Sequence, residues 1–240
     1  AQQTQLLSAA FPTTGAISWT AVETKPVCEP MDRNYLRVNG LEMAGLRKET
    51  ADFIMYKRKM VNELMSALDD AAAKKKGGLI VDGPPGAGKS MTIWAWIVRQ
   101  ITEAMKLLWV HLIKKGATCT VVSVVDGEVR LVELTDLETL EASLEYQYDV
   151  IVVDGMVNDN AEKANEFALK HIKHSVVVFS TSQIIKDNTN DNEILAISTF
   201  HYFPWTLDEY EEAVANDAFY DSAANSSVAP RMQTSRLGWK

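Results

Sequence analysis

Leu79-Ile80-Val81-Asp82-Gly83-Pro84-Pro85-Gly86-Ala87-Gly88-Lys89-Ser90, running on into Met91-Thr92-Ile93-Trp94-Ala95-Trp96-Ile97-Val98, passes from an apolar strand through a glycine-rich octapeptide into a helix. Gly83 to Ser90 match G-x-x-x-x-G-K-[ST], the Walker A phosphate loop. By average residue frequencies on the order of one chain in a hundred of this length carries the pattern by chance. Its position between strand and helix is what the chemistry needs. Glycines let successive N–H groups turn toward one anion, and a helix N-terminus adds its partial positive charge to the same spot.

Each residue type in the loop has a physical task. Gly83 and Gly88 permit positive φ and close backbone approach, and Pro84 and Pro85 stiffen the loop. Lys89 supplies a mobile ammonium for the β- and γ-phosphates, and the Ser90 hydroxyl is placed to ligate Mg²⁺. The expected nucleotide-binding set is therefore Gly83, Pro84, Pro85, Gly86, Ala87, Gly88, Lys89, Ser90 and Met91. Asp149-Val150-Ile151-Val152-Val153-Asp154 reads as a strand buried on both faces and ending in a carboxylate. Asp154 is thus the Walker B candidate, holding Mg²⁺ opposite Ser90. Downstream, Ser175-Val176-Val177-Val178-Phe179 runs into Ser180-Thr181-Ser182-Gln183, whose polar groups would face the γ-phosphate or an attacking water. The catalytic set expected is Lys89, Asp154, Ser182 and Gln183, with ATP and Mg²⁺ as ligands.

Outward from this site the chain divides into an irregular N-terminal arm (1–48), a nucleotide-binding domain (49–220) and a polar tail (221–240). The tail reads as flexible, or as the start of a truncated lid or linker. In the arm, Tyr35-Leu36-Arg37-Val38 is a short strand. Glu49 to about Lys75 reads as one long helix, with Phe53, Met60, Val61, Leu64, Met65, Leu68 and Ala72 on one broad face. Leu107 to Ile113 is a second buried strand. Thr118 to Val125 and Val129 to Leu134 form an inserted hairpin turned at Asp126-Gly127. Helices follow at Leu137 to Glu145 and Ala161 to Lys173. A last strand, roughly Ile194 to Phe203, leads to a helix that Thr206 or Asp208 caps. The fold class is α/β: a three-layer P-loop NTPase with a mainly parallel five-stranded core sheet, an inserted β-hairpin and an N-terminal helix.

Composition narrows the function. The 240 residues, 47% of them hydrophobic, bury a substantial core, and a single large domain suits that length. A net charge of −8 argues against direct nucleic-acid binding, which needs concentrated positive charge. The basic run Lys74-Lys75-Lys76 reads as a helix C-terminal cap. Cys28 and Cys119 lack metal or disulfide spacing, and His111, His171, His174 and His201 read as core or surface histidines. No apolar run approaches the ~20 residues of a membrane span, so no membrane partner is expected. The chain opens on Ala1, which suggests a processed or excised piece.

An extra strand between those of Walker A and Walker B in the chain resembles the additional-strand ATPases, the group containing AAA+ and STAND proteins, in order and spacing. Asp82 to Ser90 with Trp94-Ala95-Trp96, Trp109-Val110-His111-Leu112, Val153-Asp154-Gly155 and Trp205-Thr206-Leu207-Asp208-Glu209-Tyr210 resemble the ATPase module of the Crinkler and retrotransposon hot spot effectors. That resemblance implies an intracellular role as part of a secreted effector acting inside a host cell and directed to its nucleus. The ATPase would regulate or assemble a nuclease- or kinase-like domain of the same full-length chain, as a possible homo-oligomer. Gly155 departs from the group, which places a glutamate after the Walker B aspartate to orient water. Slow hydrolysis follows, with Asp126, Asp159 or Glu145 as alternative bases, or Ser182 or Gln183 orienting the water. Arg99 reads as a salt-bridge residue, and Arg231 and Arg236 fall in the tail. A non-hydrolysing adaptor or switch is the first alternative function. A small-molecule or nucleotide kinase is the second.

Overall fold

Runs of β-branched residues bounded by turns build the strands, and a computed structural model describes residues 17–47, 52–101, 105–113, 119–144, 146–157, 159–182, 196–217 and 219. The strands are β1 (Thr20–Ala21), β2 (Cys28–Pro30), β3 (Tyr35–Val38), β4 (Phe53–Tyr56), β5 (Gly77–Asp82), β6 (Leu107–Leu112), β7 (Cys119–Val125), β8 (Glu128–Leu134), β9 (Val150–Met156), β10 (Val176–Thr181) and β11 (Ile197–His201). The helices are α1 (Lys59–Ala73), α2 (Lys89–Gln100), α3 (Leu137–Ala142), α4 (Ala161–His171) and α5 (Leu207–Val214).

The chain is α/β, with a mixed eight-stranded sheet in the order β1-β8-β7-β6-β9-β10-β5-β11. From β6 to β11 the neighbours are all parallel. β10 lies between β5 and β9, so the strand before the glycine-rich loop and the strand bearing Asp154 are one strand apart. The expected hairpin β7–β8 forms, with Asp126 and Gly127 both at positive φ, as a tight primed turn requires. It is not set apart as an insertion, because β7 pairs antiparallel with β6 over six residues and extends the same sheet. Gln183, Glu145, Arg231, Arg236 and the tail 221–240 lie outside the described residues.

Side-chain alternation along the parallel strands makes two cores. Leu79 and Val81, Val150 and Val152, and Val176 and Val178 face α1 and α2; Ile80, Ile151, Val153, Val177 and Phe179 face α3 and α4. Trp94, Trp96 and Trp109 are wholly buried on the first face, and each indole N–H is paired: Trp94 to Asn39 O, Trp96 to Asp69 Oδ1, Trp109 to Ala44 O.

The helix expected from Glu49 begins instead at Lys59, after Arg58 in extended backbone, and Phe53–Tyr56 is a strand paired with β3. Phe-Ile-Met-Tyr is a β-favouring tetrapeptide, and its pairing partner at Tyr35–Val38 lies too far away in sequence for helical periodicity to register it. Phe53 therefore belongs to the small sheet β2-β3-β4, while Val61, Leu64, Met65, Leu68 and Ala71 form the buried stripe of α1. The described part of the arm is woven into the core: β1 pairs with β8, and Leu36, Val38, Leu41 and Ala44 are buried with α1 and α2.

Candidate functional site

The loop between β5 and α2 takes its shape from three glycines. Gly83, Gly86 and Gly88 have φ of +148°, +76° and +105°, and Gly88 caps α2 in the left-handed conformation. At Gly83 a Cβ would lie 2.1 Å from the carbonyl oxygen of Tyr202, so no side chain fits. The Thr92 hydroxyl lies 3.0 Å from the Tyr202 hydroxyl and donates to Gly88 O, which fixes the loop against the end of β11. The Ala87 amide reaches Pro84 O at 3.4 Å. The N–H groups of Gly86, Gly88, Lys89 and Ser90 have no protein acceptor among the described residues. They form a cup that presents four donors at a helix N-terminus, a place where an anion can accept them.

Lys89 folds over this cup, its ammonium donating to Gly83 O at 2.8 Å and Pro84 O at 2.9 Å. Burial pulls the Lys89 ammonium below the usual lysine range, and the nearby carboxylates of Asp154 and Asp82 oppose that shift. A desolvated ammonium held by two neutral carbonyls gains from an incoming anion.

On the β9 side, the Ser90 hydroxyl donates to Asp154 Oδ1 at 2.7 Å. Asp154 is 1% exposed, and its other oxygen, Oδ2, lies 2.8 Å from His111 Nδ1. His111 on β6 and Ser180 on β10 are the in-register neighbours of Asp154. Among the described residues no three His, Cys, Asp or Glu side chains are grouped to hold a metal. Ser90 and Asp154 offer one hydroxyl and one carboxylate, the oxygen donors that a hard cation such as Mg²⁺ takes alongside phosphate oxygens and water. The aspartate stands between serine and histidine, so the trio is no nucleophile-base-orienter relay, in which the histidine must touch the serine.

A cleft of about 340 Å³ opens beside this trio, lined by Ser90, His111, Asp154, Ser180 and Ser182 with apolar walls from Leu112, Ile113, Met156 and Val157. Ser182 is thus brought to the site, whereas Gln183 lies outside the described residues. Asp126 is not brought there. It sits in the β7–β8 turn, beyond the pairing of Val124 with Leu107 at the start of β6, at the opposite end of the sheet from His111. Asp159 is exposed in the turn before α4 and does not line the cleft. Arg99 donates to the sulfur of Met65 rather than entering a salt bridge among the described residues.

The missed residue is His111, read from sequence as an ordinary histidine. One signal pointed to it: a polar side chain near the carboxyl end of an otherwise buried strand, where ligand groups of parallel sheets collect. No helix among the described residues is long and apolar enough to cross a membrane. No protein-family model matches the sequence, and no curated protein matches it either.

Proposed function

We propose that the chain is a Mg²⁺-dependent ATP-binding domain with slow ATP hydrolysis, built as an additional-strand P-loop core on β6, β9, β10, β5 and β11. The observation carrying this reading is the set of unpaired amides of Gly86, Gly88, Lys89 and Ser90 beside the buried Lys89 ammonium, with the Ser90 hydroxyl 2.7 Å from Asp154. In this reading the amides and Lys89 bind the β- and γ-phosphates, and Ser90 and Asp154 hold the cation. Bound Mg²⁺ supplies charge neutralisation on the phosphate oxygens. Ser180 and Ser182, at the end of β10, hydrogen-bond the terminal phosphate or the attacking water.

Lys89→Ala is expected to abolish ATP binding in a fluorescence titration with mant-ATP, while the variant retains its thermal unfolding transition. Unchanged nucleotide affinity in that variant would count decisively against the proposal. Asp154→Ala is expected to lose phosphate release under saturating Mg-ATP.

A non-hydrolysing nucleotide switch is the second reading, favoured by Gly155, which cannot carry the water-orienting carboxylate. No phosphate release from wild type that binds Mg-ATP selects this reading over the ATPase. The role as regulatory or assembly module of a secreted effector rests on motif resemblance alone. Its check is the full-length gene product, where a nuclease- or kinase-like domain would support it.

A further inference from the structure

The orientation of the Asp154 carboxylate is set by its hydrogen bonds, and two described side chains supply them. Ser90 takes Oδ1, and His111 takes Oδ2 at 2.8 Å. A carboxylate oxygen only accepts, so Nδ1 is the protonated ring nitrogen and the donor. Once the Ser90 oxygen turns a lone pair to a cation, His111 is the remaining described anchor of the aspartate.

The imidazole is itself fixed from several sides. It stacks on the Trp109 ring at 6.4 Å with planes 6° apart, and Trp109 is pinned by its bond to Ala44 O and by edge-on contact with Trp94 of α2. Gly45, at φ +73°, packs so close that a Cβ there would lie 3.0 Å from the ring's Cδ2. Register places His111 opposite Thr120 on one side and Asp154 on the other. Such packing fixes the ring plane and aims Nδ1 at the carboxylate.

We infer that His111 is the positioning residue of the cation site, acting through Asp154 to orient it for Mg²⁺ bound with ATP. The inference rests on the nucleotide-site reading above. Partners of this kind set metal affinity, and their loss typically weakens it 10- to 100-fold.

The test is mant-ATP titration in EDTA and across a Mg²⁺ series. His111→Phe keeps the stack on Trp109 but not the donor. It is expected to raise the Mg²⁺ concentration for half-maximal effect about tenfold or more, with nucleotide affinity in EDTA held within about twofold. His111→Asn puts an amide N–H near the place of Nδ1 and is expected to restore the Mg²⁺ response, whereas His111→Gln, which reaches the place of Nε2, is not. Wild-type Mg²⁺ dependence in the Phe and Gln variants overturns the inference. So does an Asn variant no better than Phe, or an equal loss of affinity in EDTA and in Mg²⁺, which would mark a purely structural role. Wild type that binds no nucleotide in either condition overturns the site reading and this inference together.

Discussion

Gly155 shows how one residue's backbone decides what chemistry its neighbours must do. Its φ is +79°, and a Cβ built on it would stand 2.6 Å from the carbonyl oxygen of Leu112 at the end of β6. A glutamate after Asp154 is therefore excluded by geometry, because the obstacle is backbone and cannot swing aside. Gly155→Glu is expected to destabilise the fold by about 2 kcal/mol or more, measured by urea unfolding, and not to accelerate ATP turnover. A variant of wild-type stability with faster phosphate release would show that the strand ends yield. Gly83 is under the same constraint from Tyr202 O at 2.1 Å. Its need for glycine was legible, since the loop pattern demands one there. That of Gly155 was not, because Leu112 approaches it only across the sheet.

At the scale of elements, α5 is a short helix whose start is specified locally. Thr206 accepts from the Glu209 N–H and the Glu209 carboxylate accepts from the Thr206 N–H, a complete capping box. The same Glu209 faces Arg58 with 3.5 Å between Oε1 and Nε. Arg58 is 2% exposed, donates to Phe203 O and Pro204 O, and lies over the rings of Tyr202 and Trp205. The cap thus helps hold the segment that packs behind Gly83. Thr206→Ala is expected to lower stability by about 1 kcal/mol, read from the urea midpoint. A change of a few tenths or less would mean that Arg58 and the aromatic cluster alone secure α5. The helix start was legible to within two residues, as Thr206 or Asp208, because capping is local; the bond to Glu209 decides for Thr206. The pairing of β4 with β3 was not, since its partners, Val38 with Phe53 through Tyr35 with Tyr56, lie too far apart in the chain for a helical window to hold both.

For the molecule as a whole, packing of the α4 layer against the sheet half-buries one histidine, His171. At the end of α4 its ring lies 4.8 Å from that of Phe167, and Nε2 is buried with no hydrogen-bond partner among the described residues. Burial pushes its pKa below the ordinary 6.5, against the opposing pull of Glu141, while Lys170 lowers it further. With the folded value depressed, the unfolded chain binds the proton more readily. Stability from this site is complete above about pH 6.5 and is lost as pH falls through the folded pKa. His171→Phe is expected to shrink the drop in urea midpoint between about pH 7.5 and pH 5 relative to wild type. Equal drops in the two proteins would assign the acid sensitivity to other groups.

What the amino-acid order determined by itself was carried by near neighbours: the glycine-rich turn between β5 and α2, the buried strand that bears Asp154, the Asp126-Gly127 hairpin and a helix start at Thr206 or Asp208. These are contacts among residues a few positions apart, where backbone freedom, side-chain alternation and turn chemistry act directly. Only the tertiary structure decided which strands lie side by side, that the hairpin continues the main sheet, that His111 meets Asp154, and that the described part of the arm packs against α1 and α2. Those outcomes depend on groups far apart in the chain, brought together by the burial of two apolar faces and by sheet register, and no short window of residues encodes either.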